Sequence, residues 1–131
     1  MQNIDFNEPD LHLVKALKEI KWPIITKDGR IIFLNKKRNS IDYTINHISE
    51  KRHFNKVRDI KLLPIILNNP FMIIPLDNRK RKIYYGKRKG NEGNDNKPFL
   101  KIVADVYGNK EYIVTIYPVY STKEKYSPQD K

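Results

Sequence analysis

The stretch that most constrains the fold of this 131-residue chain lies between Lys97 and Tyr117. Two segments of alternating apolar and polar residues flank a Gly-Asn pair, and this pattern predicts a β-hairpin. Lys101, Thr115 and Tyr117 occupy fixed positions in the two strands. Chemistry that needs a rigid platform would find one in this hairpin.

The length of the turn decides which side chains of the hairpin share a face. A two-residue Gly-Asn turn would place Glu111 on the apolar face of the preceding strand and mix polar groups into it. A three-residue loop instead pairs Ile102 with Ile116 and makes one face wholly apolar, and a buried apolar face is what normally fixes register. We therefore expect the three-residue loop, with Lys101 and Tyr117 side by side on the opposite face.

The order of patterns along the chain predicts an α+β fold, with N-terminal helices packed on a four-stranded antiparallel sheet. Short connections favour antiparallel neighbours. Pro75 indicates that the first of these strands lies at a sheet edge, because proline cannot donate a ladder hydrogen bond. The four expected strands are Phe71–Leu76, Arg81–Gly86, Phe99–Tyr107 and Glu111–Val119.

The segment before these strands predicts a helix that starts near Glu8 and ends before Pro23, and then a short hairpin around an Asp-Gly turn. We expect Ile41–Ile45 to be briefly extended and Ser49 to cap the next helix, with His47 just before the cap. A further helix is expected from about Lys61 to Asn68, with Pro64 in its first turn.

Size and composition predict one domain over residues 1–120, in which residues 1–46 form an N-terminal helix and hairpin extension. Residues 121–131 are expected to be a flexible tail. The chain has no cysteine, which excludes disulfides and thiolate metal sites. Its N-terminus does not resemble a signal peptide, and its apolar runs are far shorter than the ~18 residues of a membrane span, so we expect a soluble protein without membrane contact.

The charge of the chain predicts a polyanionic partner. Its net charge is +11, which favours nucleic acid. Coding bias towards lysine is the alternative explanation, but the basic residues crowd one hairpin and its exit loop. We expect an RNA phosphate-binding surface formed by Arg79, Arg81, Lys82, Lys87 and Arg88.

The chemistry that these residues allow is RNA cleavage without a metal ion. We find no H-E-x-x-H motif and no paired carboxylates at ligand spacing, and so expect neither a metal nor a cofactor. The 2′-hydroxyl of RNA supplies the nucleophile, and the protein must supply a base, an acid and cations. Histidines titrate near neutral pH and suit proton transfer. The candidate catalytic residues are His47, His53, Lys101, Thr115 and Tyr117; each also has an ordinary structural interpretation.

The segments HISEKRHF, KLLPIILNNPFMI, IYYGKR, KPFLKIVADV and IVTIYPV resemble the phage branch of the barnase–EndoU–colicin–RelE-like (BECR) nuclease superfamily. The resemblance implies a toxin or effector ribonuclease that acts in the cytoplasm, or is delivered there as part of a toxin or phage particle. RNA and an acidic inhibitor protein (an antitoxin or immunity protein) would be its partners. The implied active residues are His47 or His53, Lys87 or Arg88, and Thr115 with Tyr117.

Two other functions remain open from the sequence. A non-catalytic nucleic-acid-binding module would stack bases on aromatic side chains. A phage-associated adaptor protein would keep the fold without the activity. The candidate stacking residues are Tyr84, Tyr85, Tyr107 and Tyr112.

Overall fold

The computed structural model describes residues 8–50, 57–76, 80–88 and 97–122. Within these ranges the chain forms three helices and six strands. In chain order they are α1 (Glu8–Lys18), β1 (Ile24–Ile25), β2 (Ile31–Phe33), α2 (Ile41–Glu50), α3 (Val57–Asn68), β3 (Met72–Leu76), β4 (Arg81–Lys87), β5 (Phe99–Tyr107) and β6 (Lys110–Val119).

The sheet has six strands in the order β1-β2-β6-β5-β4-β3, and it is mixed. The α+β class is correct, but the predicted four-stranded antiparallel sheet is wrong, because the N-terminal hairpin joins the same sheet. β2 runs parallel to β6, with Ile31 opposite Lys110, and the Ile31 amide donates to the Asn109 carbonyl over 2.8 Å. Across the β2–β6 pair, the ring of Phe33 stacks on the ring of Tyr112 with 4.8 Å between their centroids.

The four strands predicted from alternation are all present, and they pair antiparallel with one another. β3 forms one edge of the sheet, as Pro75 indicated. At the opposite edge, β1 and β2 pair across the predicted Asp-Gly turn, where Gly29 adopts a φ of 89°. Turn chemistry therefore identified local pairings correctly.

The segment from Ile41 is helical, so the expected extended piece is wrong. Ser40, rather than Ser49, caps α2, since its Oγ accepts a hydrogen bond from the Tyr43 amide over 3.2 Å. Apolar residues at helical spacing, Ile41 and Ile45 among them, face the core and outweigh the β-branched composition. His47 consequently lies in the last turn of α2, and Ser49 lies within the helix.

α3 begins one turn earlier than expected, at Val57, and Pro64 lies in its interior. The three helices cover one face of the sheet. Their packing against it is close, since a Cβ on Gly86 of β4 would lie 2.2 Å from the Ile66 side chain of α3. The main core on this face includes Leu17, Ile45, Leu63, Leu67, Tyr84, Leu100, Ile102 and Ile116.

The other face of the sheet carries a smaller buried cluster. Its buried members come from β4, β5 and β6 and are Ile83, Tyr85, Val103 and Val119. Partly buried residues such as Phe99 and Tyr117 pack against them. This second face, called the outer face below, is the one on which the predicted catalytic residues of β5 and β6 lie. None of the three helices is long and apolar enough to span a membrane.

Candidate functional site

The turn of the β5–β6 hairpin has two residues, so the predicted three-residue loop is wrong. Tyr107 pairs with Lys110, and Gly108 takes a φ of 64°. A positive φ at the first central position is typical of a type II′ turn, for which glycine is favoured. Glu111 accordingly lies opposite Val106, the arrangement that the apolar-face argument rejected.

A β-bulge restores the register that the apolar face requires. Val103 pairs with Thr115 and the next residue, Ala104, pairs with Ile113, so Val114 is the extra residue of β6. Beyond the bulge, Ile102 lies opposite Ile116, as predicted. The chain therefore uses the tight Gly-Asn turn and still buries the apolar face, because a bulge absorbs the one-residue mismatch.

The predicted grouping of Lys101, Thr115 and Tyr117 on one face is confirmed. Lys101 pairs with Tyr117, and its Nζ lies 5.2 Å from the centre of the Tyr117 ring. Lys101 is only 1% exposed, whereas Thr115 and Tyr117 are half-buried. The neighbouring strand adds Tyr85, which pairs with Lys101 from β4. A buried ammonium group thus lies beside phenol rings on the outer face.

His47 lies on the helix-covered side of the sheet, opposite to this group, because α2 packs on the main core. It lines a narrow cleft of about 10 Å³ between α2 and β6, whose walls include Leu34, Ile113 and Ile116 of the main core together with Val114 and Thr115. Within the described ranges, the buried Oγ1 of Thr115 has no hydrogen-bond partner. Such a hydroxyl costs about 1–3 kcal/mol and calls for an explanation. His53, the other candidate base, lies outside the described residues.

The predicted phosphate-binding residues do not form one surface. Arg81 and Lys82 are consecutive on β4, and alternation sends their side chains to opposite faces. Arg81 Nε contacts Asp105 Oδ1 at 2.7 Å, and Lys82 Nζ contacts Glu111 Oε2 at 3.3 Å. Both cations therefore stabilise the sheet through ion pairs. Arg79 lies outside the described residues.

Arg88 is a structural residue, so its predicted role as a phosphate-binding or active-site residue has to be corrected. Its guanidinium contacts Asp59 of α3, at 2.7 Å from Nε to Oδ1 and at 3.2 Å from Nη2 to Oδ2. Both side chains are buried, and Arg88 Nη1 also donates to the Lys97 carbonyl over 2.8 Å. Lys87 is exposed, with Nζ 4.6 Å from the centre of the Phe71 ring.

A buried polar chain beneath the helices was missed entirely from the sequence. Arg30 Nη1 donates to the Tyr84 hydroxyl over 2.6 Å, and that hydroxyl donates to Glu111 Oε1. Lys82 completes the surroundings of this fully buried carboxylate. Burial, together with the hydrogen bond to Glu111, raises the pKa of Tyr84 above its usual value. Opposite charges at Arg30 and Lys82 were the signal that Glu111 could be buried.

A second carboxylate, Asp105, is shared by two cations on the outer face. Arg81 Nε contacts its Oδ1, and Lys36 Nζ contacts its Oδ2 at 2.6 Å. Partial burial acts to raise the pKa of Asp105, but the hydrogen bonds from Arg81 and Lys36 outweigh it and hold this pKa below its ordinary value. Asp105 therefore remains ionised near neutral pH.

Of the four tyrosines proposed for base stacking, two are inaccessible. Tyr84 and Tyr85 are fully buried, so a stacking role for them is excluded. Tyr112 packs against Phe33. Tyr107 is 48% exposed, and Lys36 Nζ lies 5.1 Å from its ring centre.

In the part of the chain that the structure describes, no group of three His, Asp or Glu residues could hold a metal ion. No family model, curated protein or solved structure matches the chain.

Proposed function

We propose that the chain is a metal-independent endoribonuclease whose active site is the outer-face group of Lys101, Thr115 and Tyr117. The observation that carries this proposal is the register of β5 and β6, which puts these three side chains on one face. The net charge of +11 favours an anionic substrate.

The reaction would be an intramolecular transesterification. A base removes the proton of the 2′-hydroxyl, whose oxygen then forms a bond to phosphorus while the bond to the 5′-oxygen breaks. An acid returns a proton to that leaving oxygen, giving a 2′,3′-cyclic phosphate and a 5′-hydroxyl. Lys101 would offset the charge of the phosphorane, with Thr115 and Tyr117 as hydrogen-bond donors. His53 is the remaining histidine candidate for the base or the acid, because His47 lies on the helix-covered face of the sheet.

The burial of Lys101 sets a requirement on this mechanism. Because the side chain is 1% exposed, a phosphate can reach its Nζ only after a covering group moves aside. Tyr117 is half-buried and lies directly beside the ammonium group. Substrate binding would therefore begin at the accessible part of Tyr117 and then reach the buried Thr115 hydroxyl and Lys101.

The resemblance to BECR nucleases also implies a biological role for the proposed activity. The chain would be a toxin or effector acting on RNA in the cytoplasm. An acidic inhibitor protein would suit its net charge of +11. RNA and the inhibitor protein are inferred as partners from the proposed activity, and a protein without that activity would give no reason to expect them.

The decisive experiment is cleavage of end-labelled RNA in the presence of EDTA. We expect fragments ending in 2′,3′-cyclic phosphate or its 3′-phosphate hydrolysis product, and we expect DNA of the same sequence to stay intact. Thr115→Val and Tyr117→Phe keep shape, and each should lower the rate by about 10²-fold or more. His12→Asn, a change at an exposed residue of α1, is the matched control for His53→Asn. Cleavage that disappears in EDTA and returns with Mg²⁺ contradicts the proposal.

A non-catalytic RNA-binding module is the second candidate, and one observation favours it. Exposed aromatic rings at one end of the sheet carry lysine ammonium groups above them, Lys87 over Phe71 and Lys97 over Tyr120. This arrangement suits stacking and phosphate contact without chemistry. RNA that is retained but never cut would favour this function over the nuclease.

A further inference from the structure

One end of the sheet presents an aromatic surface that the proposed active site does not use. It lies where β4 ends, β5 begins and β6 ends, since Lys87 pairs with Phe99 and Phe99 pairs with Val119. We call this surface the aromatic end. Its members are Phe71, Lys87, Lys97, Phe99 and Tyr120.

The rings of the aromatic end are arranged as a platform. Phe71 stacks on Phe99 with 5.5 Å between centroids and 29° between planes. Lys87 Nζ lies 4.6 Å from the Phe71 ring centre, and Lys97 Nζ lies 5.3 Å from that of Tyr120. Each accessible ring is thus accompanied by a cation that could contact a phosphate while a base covers the ring.

The platform is fixed to the sheet and the helices. The Phe71 amide donates to the Tyr85 carbonyl over 2.8 Å, and the Arg88 amide donates to the Pro98 carbonyl over 2.9 Å. Arg88 also holds the Lys97 carbonyl while its guanidinium contacts Asp59 of α3. Side chains ordered in this way lose little conformational entropy when a ligand binds.

The rings are nevertheless accessible. Phe71 is 48% exposed and Tyr120 is 67% exposed, and Met72, which follows Phe71 in the chain, is 38% exposed. Exposed apolar side chains that are grouped together mark binding sites. The cations among the rings and the net charge of +11 identify an anionic, aromatic ligand as the fitting occupant.

The position of Phe99 connects this surface to the proposed active site. Phe99 is two residues before Lys101 on β5, on the same face, and two strand residues span about 7 Å. We propose that the aromatic end binds the unpaired base of single-stranded RNA that adjoins the phosphate held at Lys101 and Tyr117. This inference rests on the proposed function for the position of that phosphate, and it specifies the substrate as single-stranded, because paired bases are not free to stack on side chains.

The test uses a short RNA in which every 2′-hydroxyl is methylated, so that it binds without being cut. We expect Phe71→Ala and Tyr120→Ala each to weaken its affinity by at least about 5-fold, as measured by fluorescence anisotropy. Tyr107→Ala is the matched control, because Tyr107 has the same exposure as Phe71 and its own lysine but lies at the other end of β5. This control should bind like the wild type.

A second experiment distinguishes the loss of a stacking contact in Phe71→Ala from a general disturbance of its fold. In a set of oligonucleotides with one abasic position each, one member should bind the wild type weakly and be insensitive to Phe71→Ala. Absence of binding, equal losses for Tyr107→Ala, or equal affinity for a methylated duplex would each overturn the inference. If one of these results is found but RNA is still cleaved, the stacking inference is wrong and the nuclease proposal is unaffected. If the base stacks specifically but no RNA is cleaved, the nuclease proposal is wrong and the non-catalytic RNA-binding module is favoured.

Discussion

Several charged residues of this protein stabilise its fold, whereas the basic composition indicated mainly a binding surface for a polyanion. A carboxylate can be fully buried when several donors surround it, and Glu111 has Tyr84, Lys82 and Arg30 within reach. From the sequence, Glu111 looked incompatible with the apolar face. The error came from judging one strand alone, since the partners of Glu111 come from β4, two strands away in the sheet, and from the N-terminal hairpin.

The first prediction concerns this carboxylate. Glu111→Gln should lower the free energy of unfolding by about 2–3 kcal/mol, because the amide keeps the shape but leaves two cations facing a neutral group. Urea unfolding followed by circular dichroism measures the change. The exposed Glu19 provides the control, since Glu19→Gln should stay within about 0.5 kcal/mol of the wild type. Equal effects of the two substitutions would contradict the role assigned to Glu111.

The second prediction is a pH dependence at Asp105. Because its pKa is lowered in the folded state, its ionised form stabilises the fold above the unfolded pKa of about 3.9. That contribution is lost as the pH falls through the folded pKa. The stability difference between the wild type and Asp105→Asn should thus be full at pH 7 and shrink below about pH 4. A difference that is constant between pH 7 and pH 3, measured by urea unfolding, would refute this assignment.

At the level of elements, local patterns were reliable and long-range pairings were not. The alternation of β3 to β6 and the Asp-Gly turn each concern residues that are near in sequence, so their strands could be predicted. Nothing in β2 specifies that it should pair in parallel with β6, nearly 80 residues away. The helical start of α2 was obscured by its β-branched residues, which favour strands when packing is ignored.

The β-bulge gives the third prediction. Removing Val114 should leave a regular ladder with every other pair unchanged, since Ile113 and Thr115 would then continue the alternation opposite Ala104 and Val103. The ΔVal114 variant should therefore fold. Its cleavage rate should fall, because the deletion changes the backbone next to Thr115 of the proposed active site.

The matched control removes Ile116 instead of Val114. This deletion also regularises the ladder, but it moves Thr115 onto the apolar face in the place of a buried isoleucine. It should cost at least about 2 kcal/mol more than ΔVal114 in urea unfolding. If the two deletions are equally tolerated, the bulge does not set the register of this hairpin.

In the molecule as a whole, the basic residues fall into two groups, those that form ion pairs and those that lie over exposed rings. Arg81, Lys82 and Arg88 form ion pairs with carboxylates of the sheet and of α3, whereas Lys87 lies over an exposed ring. The sequence could locate the basic cluster between residues 79 and 89, but strand alternation and the positions of the acidic partners decide which charges are available. The candidate group on β5 and β6 was predictable because a single hairpin holds it.

The fourth prediction separates these two groups by the salt dependence of RNA binding. Lys87→Gln should reduce the slope of log affinity against log salt by about 0.7, the value for one single-strand phosphate contact, and leave stability unchanged. Arg81→Gln should leave the slope unchanged and lower the free energy of unfolding. Measurements of both quantities on both variants check the division, and a common effect of the two substitutions would contradict it.

The parallel pairing of β2 with β6 also governs the order in which the protein can be completed during synthesis. β6 is the last of the described strands in chain order, yet it lies in the interior of the sheet between β2 and β5. A shorter nascent chain leaves two inner strands with open edges, and such edges invite aggregation. High contact order also slows folding. Since β6 carries Thr115 and Tyr117, a nascent chain in which β6 has not yet been made would lack both a complete sheet and two residues of the proposed active site.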